Sequence, residues 1–131
     1  MDRTADIAIS AGLLILSGVL HFVMAQTRNG RLDRNAAVGI RTKATMSTEV
    51  AWHAGHRAAA PWLLGAAIAG YGSGILAVVI SLGIGTAENR TPAPIIIALS
   101  GYVVVLVVML IAVSEANRSA RRTIGSASSN K

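Results

Sequence analysis

Three long stretches of this chain carry no formally charged side chain: between Asp6 and Arg28, between Arg57 and Glu88, and between Arg90 and Glu115. A helix needs about 20 apolar residues to cross a hydrocarbon core roughly 30 Å thick, and each gap has room for one. The spacing predicts an all-α integral membrane protein with three transmembrane helices, near residues 7–25, 61–84 and 93–113. Together they make one membrane domain over residues 1–114. A hydrophobic share of 53% against 14% charged residues places a 131-residue chain in that class and not among ordinary soluble domains.

The run VMA at 23–25 before Gln26 has the look of a signal-peptide cleavage site, but Asp2 and Asp6 cancel the positive end that such a peptide needs. The first helix is expected to be retained. Orientation follows from the basic residues. Arg28, Arg31, Arg34, Arg41, Lys43 and Arg57 lie between the first two spans, and Arg118, Arg121, Arg122 and Lys131 follow the third. Only Arg3 and Arg90 fall on the other side. This bias predicts a cytoplasmic loop over residues 26–60, a cytoplasmic C-terminus and an outward N-terminus. It also accounts for the net charge of +6 without nucleic acid, since these cations stand where topology and anionic headgroups place them.

The chain has no cysteine, which removes disulfides, thiol catalysis and thiolate metal sites. No Asp, Glu, Lys or Arg lies inside a predicted span, which argues against an ion-coupled transporter of the small multidrug type. His21 is the ionisable residue within a span; it suits either a proton or ligand contact or, the favoured reading, a neutral imidazole bonded to a neighbouring helix or to interfacial water. No nucleophile elbow, P-loop or paired carboxylate is present, so neither an enzyme nor a cofactor is expected.

Packing signals are better defined. Ala66, Gly70 and Gly74 recur every fourth residue in the second span, a stripe that lets helix backbones approach closely. Packing within the chain is its first expected use and homodimerisation its second. Pro61 suits the first turn of this helix, Pro92 and Pro94 mark the entrance of the third, and Trp62 suits an interfacial anchor.

The loop divides in two. Residues 26–46 are rich in Arg, Asn, Gly and Thr without helical or strand periodicity, and Gly39 offers a turn. From Ser47 the pattern predicts a short interfacial amphipathic helix, with Ser47 as cap, Glu49 in its first turn, and Val50, Ala51, Trp52, Ala54 and Ala58 as apolar surface. Trp52 and His56 are four apart and share a face; Trp52 is expected in the membrane interface, with His56 pointing toward the loop. Glu49, His53 and His56 also fall on one side, a weak candidate metal set that nothing else in the sequence completes. Arg41 and Arg57, with Asn35, Thr42 and His56, gather hydrogen-bond donors that suit either a phosphate or carboxylate partner or the carbonyls of the loop itself.

Asn35, then Gly39-Ile40-Arg41-Thr42, then Thr45, Trp52, His56 and Arg57 resemble the signature of the SdpI family of bacterial integral membrane proteins. The resemblance covers residues 15–85 and implies a multi-pass protein of the bacterial plasma (inner) membrane. Asn35, Gly39, Arg41, Thr42, Trp52, His56 and Arg57 are the residues expected in contact with a partner or headgroup. The founding member is an immunity protein against a secreted toxin and recruits a soluble repressor to the membrane. This chain departs from it in having three spans where the founding protein is longer. The resemblance therefore implies toxin immunity or signalling through binding, with a soluble regulator or peptide toxin as partner. An accessory subunit docked in a larger membrane complex is the alternative. The tail, residues 115–131, is polar, small and basic, and is expected to be disordered.

Overall fold

Gly30 ends the first helix. Its φ of +65° is left-handed, and the Gly30 N–H donates to the Thr27 carbonyl (3.1 Å) while the Arg31 N–H reaches back to Gln26 (2.9 Å). These are the two bonds of a Schellman termination, which satisfies carbonyls that a helix end leaves without partners. The computed structural model describes residues 3–83 and 91–131. Within them lie three helices, α1 (Arg3–Arg28), α2 (Glu49–Gly83) and α3 (Ala93–Ser129), each long and apolar enough to cross a membrane. The short connection that carries Arg90, and Ile84 at the end of the predicted second span, lie outside the described residues.

α2 is central, packing on α1 along one side and α3 along another, while α1 and α3 touch only slightly. The small-residue stripe makes this possible. A Cβ on Gly70 would collide with Ser17 Oγ of α1 and stand 3.2 Å from Val105 of α3. One on Gly74 would come within 2.8 Å of Leu14, and Ala66 is fully buried. Ser17 is harmless at this depth because its hydroxyl donates to the Leu13 carbonyl of its own helix (2.8 Å). α3 uses the same device: Gly101 lies against Ser73 and Leu13, and the Tyr102 hydroxyl donates to Ile9 O of α1 (3.0 Å). The large aliphatic side chains turn outward instead. Ile15, Ile68, Val103 and Leu110 are all more than 60% exposed, the pattern of a bundle solvated by lipid, where burial from water does not drive helices together.

Four expectations are corrected at the helix ends. The interfacial segment from Ser47 is not a separate helix, because α2 runs unbroken from Glu49 to Gly83. Pro61 is therefore an interior residue and not a first-turn one. Its missing N–H leaves the Arg57 carbonyl without its usual donor, tolerable because Pro61 is exposed. The cap is Thr48, not Ser47: Thr48 Oγ1 accepts the Ala51 N–H (3.0 Å), whereas the Ser47 hydroxyl donates to Ala44 O (2.6 Å). Finally, the tail expected to be disordered is helical as far as Ser129. Ala112, Ala116 and Ala120 are fully buried at four-residue spacing and carry α3 along the first turns of α2. Gly55 is the contact point, where a Cβ would stand 3.0 Å from the Ala116 carbonyl oxygen. Beyond Thr123 the helix is exposed.

Candidate functional site

The 29–48 segment, the first turns of α2 and the last turns of α3 meet at one end of the bundle and form a cap. Ten of the twelve basic residues lie at this end. Two side chains of α2 fasten the cap from beneath. Trp52 is fully buried, and its indole N–H donates to Leu32 O, 2.8 Å away and twenty residues earlier. His56, 1% exposed, lies against it with ring centroids 4.0 Å apart. The expectation that Trp52 sits in the membrane interface is thereby corrected, since the loop, not lipid, covers it.

The chemistry of His56 is fixed by its neighbours. The Ile40 backbone N–H points at Nε2 (2.8 Å) and can only donate, so Nε2 carries a lone pair. Nδ1, 2.9 Å from Trp52 O, therefore holds the proton and donates it. The ring is a neutral imidazole with both nitrogens used. His56 lies before the apolar stretch that begins at Pro61, and burial pushes its pKa below the ordinary 6.5, against a smaller opposing effect of the Trp52 carbonyl.

Gly39 allows the loop to come this close. Its φ is +137°, and a Cβ would stand 2.7 Å from Trp52 Cη2 and 2.9 Å from His56 Nε2. After it the loop closes on Thr45, which is fully buried. Thr45 Oγ1 donates to Ile40 O (2.8 Å) and accepts the Thr42 N–H (2.9 Å). Thr42 Oγ1 in turn reaches Asn117 Oδ1 of α3 (3.2 Å), and Ser119 Oγ donates to Ala54 O (3.2 Å). Gly39, Thr42, Trp52 and His56 are thus brought together as one bonded unit.

The remaining candidates are not part of it. Asn35 is exposed, and its backbone N–H donates to Asp33 Oδ1 in a local turn (2.9 Å). Arg41 is exposed and donates from Nη1 to Ala36 O (2.9 Å). Arg57 is exposed. Glu49 pairs with Arg34 (3.2 Å) and lies 3.8 Å from His53, but His56 has no nitrogen left for that pair. Among the described residues no group of three His, Asp or Glu side chains converges as a metal site would require. His21, outward on α1, sets its ring edge against Tyr71, centroids 6.1 Å apart.

Sequence reasoning missed Leu32, Thr48, Gly55, Ala116 and Asn117. The alanine spacing was a readable signal for the contact of Ala116 with Gly55; the Leu32 carbonyl leaves no trace in side-chain types. Recesses flank the cap on more than one side. One of about 650 Å³ lies between α2 and α3 and includes Arg57 and Ser119 in its walls. Another, about 430 Å³, lies between the start of the loop and Glu49.

The family model described as the SdpI/YfhL protein family matches residues 31–114. The chain belongs to this family. Its matched region begins after α1 and takes in the loop, all of α2 and the membrane part of α3, reaching further along the chain than the signature residues. No curated protein and no solved structure matches the chain. The SdpI/YfhL assignment and the three apolar helices together make this a membrane protein of that family, with Gly39, Ile40, Thr42, Thr45, Trp52 and His56 of the signature forming the bonded underside of the cap and Asn35, Arg41 and Arg57 lying outside it.

Proposed function

We propose that this protein is an immunity and signalling protein of a bacterial plasma membrane, which acts by binding and not by catalysis. In this reading the cap faces the cytoplasm, and its exposed outer surface holds a soluble regulator or the membrane part engages a peptide toxin. The observation that carries it is the division of labour within the signature: Gly39, Thr42, Thr45, Trp52 and His56 hold the loop rigidly in place. That rigid support leaves Arg41 presented outward on it. A loop held in one conformation loses little entropy on binding, and an exposed guanidinium suits an acidic surface.

A second reading, an accessory subunit of a larger membrane complex, is supported by Gly72. It faces outward on α2 with nothing within 4 Å of where a Cβ would stand, leaving a notch that a foreign helix fits.

The test is a mild-detergent pull-down at native expression level, with Arg41→Ala alongside. A soluble regulator lost in the variant, or a retained secreted peptide, supports immunity and signalling. A stoichiometric set of integral membrane proteins instead supports the accessory subunit and rejects an autonomous immunity protein.

A further inference from the structure

The recess between α2 and α3 has a floor of small side chains because the two helices are drawn together at Gly55 and Ala116. Ala54 and Ala58 line it on α2 and Ser119 on α3. Its two ends differ in charge. At the outer end Glu49 is already neutralised by Arg34 and adjoins His53. At the membrane end stands Arg57, exposed and with no hydrogen bond or ion pair among the described residues.

The level of Arg57 is informative. Pro61 follows one turn later on the same face, about 6 Å along the axis. Trp62, 40% exposed, follows Ala58 by the same step. An exposed indole where a helix turns apolar marks the headgroup layer. The free guanidinium therefore lies at the depth of lipid phosphates, over a recess whose floor offers no competing carboxylate.

We propose that this recess is a binding site for one anionic phospholipid, with Arg57 holding the phosphate and the Ala54, Ala58 and Ser119 floor receiving the headgroup. Guanidinium suits this task because its fork matches phosphate oxygens with two parallel hydrogen bonds. The site is distinct from a diffuse attraction of the basic tail to the membrane surface, because it has walls and a single cation at its mouth. It requires nothing of a toxin or a regulator.

The test is native mass spectrometry of the full-length protein released from a non-ionic detergent, with phosphatidylglycerol or phosphatidylcholine titrated in. The unsubstituted protein is expected to retain one phosphatidylglycerol at concentrations where phosphatidylcholine is not retained. Arg57→Gln is expected to weaken that retention about tenfold. Ala58→Leu, which keeps the charge and fills the recess, should do the same, and it decides the matter if Arg57→Gln fails to fold. The pair Arg121→Gln and Arg122→Gln should keep the bound lipid. Equal retention of both lipids, unchanged retention in Arg57→Gln, or loss confined to the Arg121 and Arg122 pair would overturn the proposal. So would a co-purifying protein displaced by Arg57→Gln, which would give the recess to a protein partner.

Discussion

The Ile40 amide ends on the Nε2 lone pair of His56 at 2.8 Å, so a loop residue and a helix residue sixteen positions apart share one proton arrangement. Protonating Nε2 would set two donors against each other in a buried place. The folded state consequently takes up this proton less readily than the unfolded chain, whose histidine titrates near 6.5. The stabilisation is complete above about pH 6.5 and is lost as pH falls below it toward the depressed folded value. Thermal unfolding in detergent between pH 5 and 8 should show stability rising with pH. His56→Gln should remove that component of the slope, and an equal slope in both proteins would refute the neutral tautomer.

Trp52→Phe keeps most of the buried ring but leaves the Leu32 carbonyl without its donor. The loss should be about 1–3 kcal/mol, read as a lower unfolding midpoint and as faster proteolysis within residues 31–47. An unchanged cleavage pattern would mean that the indole N–H does not hold the loop.

Gly39 and Gly30 both have positive φ but differ in surroundings. Gly30→Ala meets open space and should cost about 1–2 kcal/mol from backbone conformation alone. Gly39→Ala adds contacts under 3 Å with two interlocked rings, so it should cost clearly more and reduce the amount of protein in the membrane. Equal losses for the two would contradict the close approach of the loop to α2.

Two other glycines separate inner from outer faces of α2. Gly70→Val drives a branched side chain against Ser17 and Val105 and should destabilise the bundle by about 1–3 kcal/mol. Gly72→Val meets nothing and should leave folding unchanged. If Gly72→Val removes a co-purifying membrane protein while the unfolding midpoint stays put, the accessory-subunit reading gains its interface.

The three spans were legible because a charge inside a bilayer is costly enough to leave long gaps in the sequence. Helix ends were not, and for separate reasons. Pro61 reads as a helix start, yet its exposed position lets the helix continue. The tail reads as disordered when alanine is counted as neutral, yet Ala116 packs because Gly55 opposes it, and Ala120 packs with Ala44 and Ala51. The shared face of Trp52 and His56 followed from their spacing alone. Which way that face turned did not, since the groups that receive it, the Leu32 carbonyl and the Ile40 amide, are backbone atoms brought there by the path of the loop.

Because α2 is one helix of 35 residues, about 52 Å of continuous backbone, the cap and the lipid-facing bundle share a single shaft. A torque applied at Trp52 or His56 reaches Gly70 and Gly74 without crossing a linker. The missing hydrogen bond at Pro61 lies between those two levels, so any twist passed from the cap to the membrane helices crosses the one turn of the shaft that lacks its proline's amide donor.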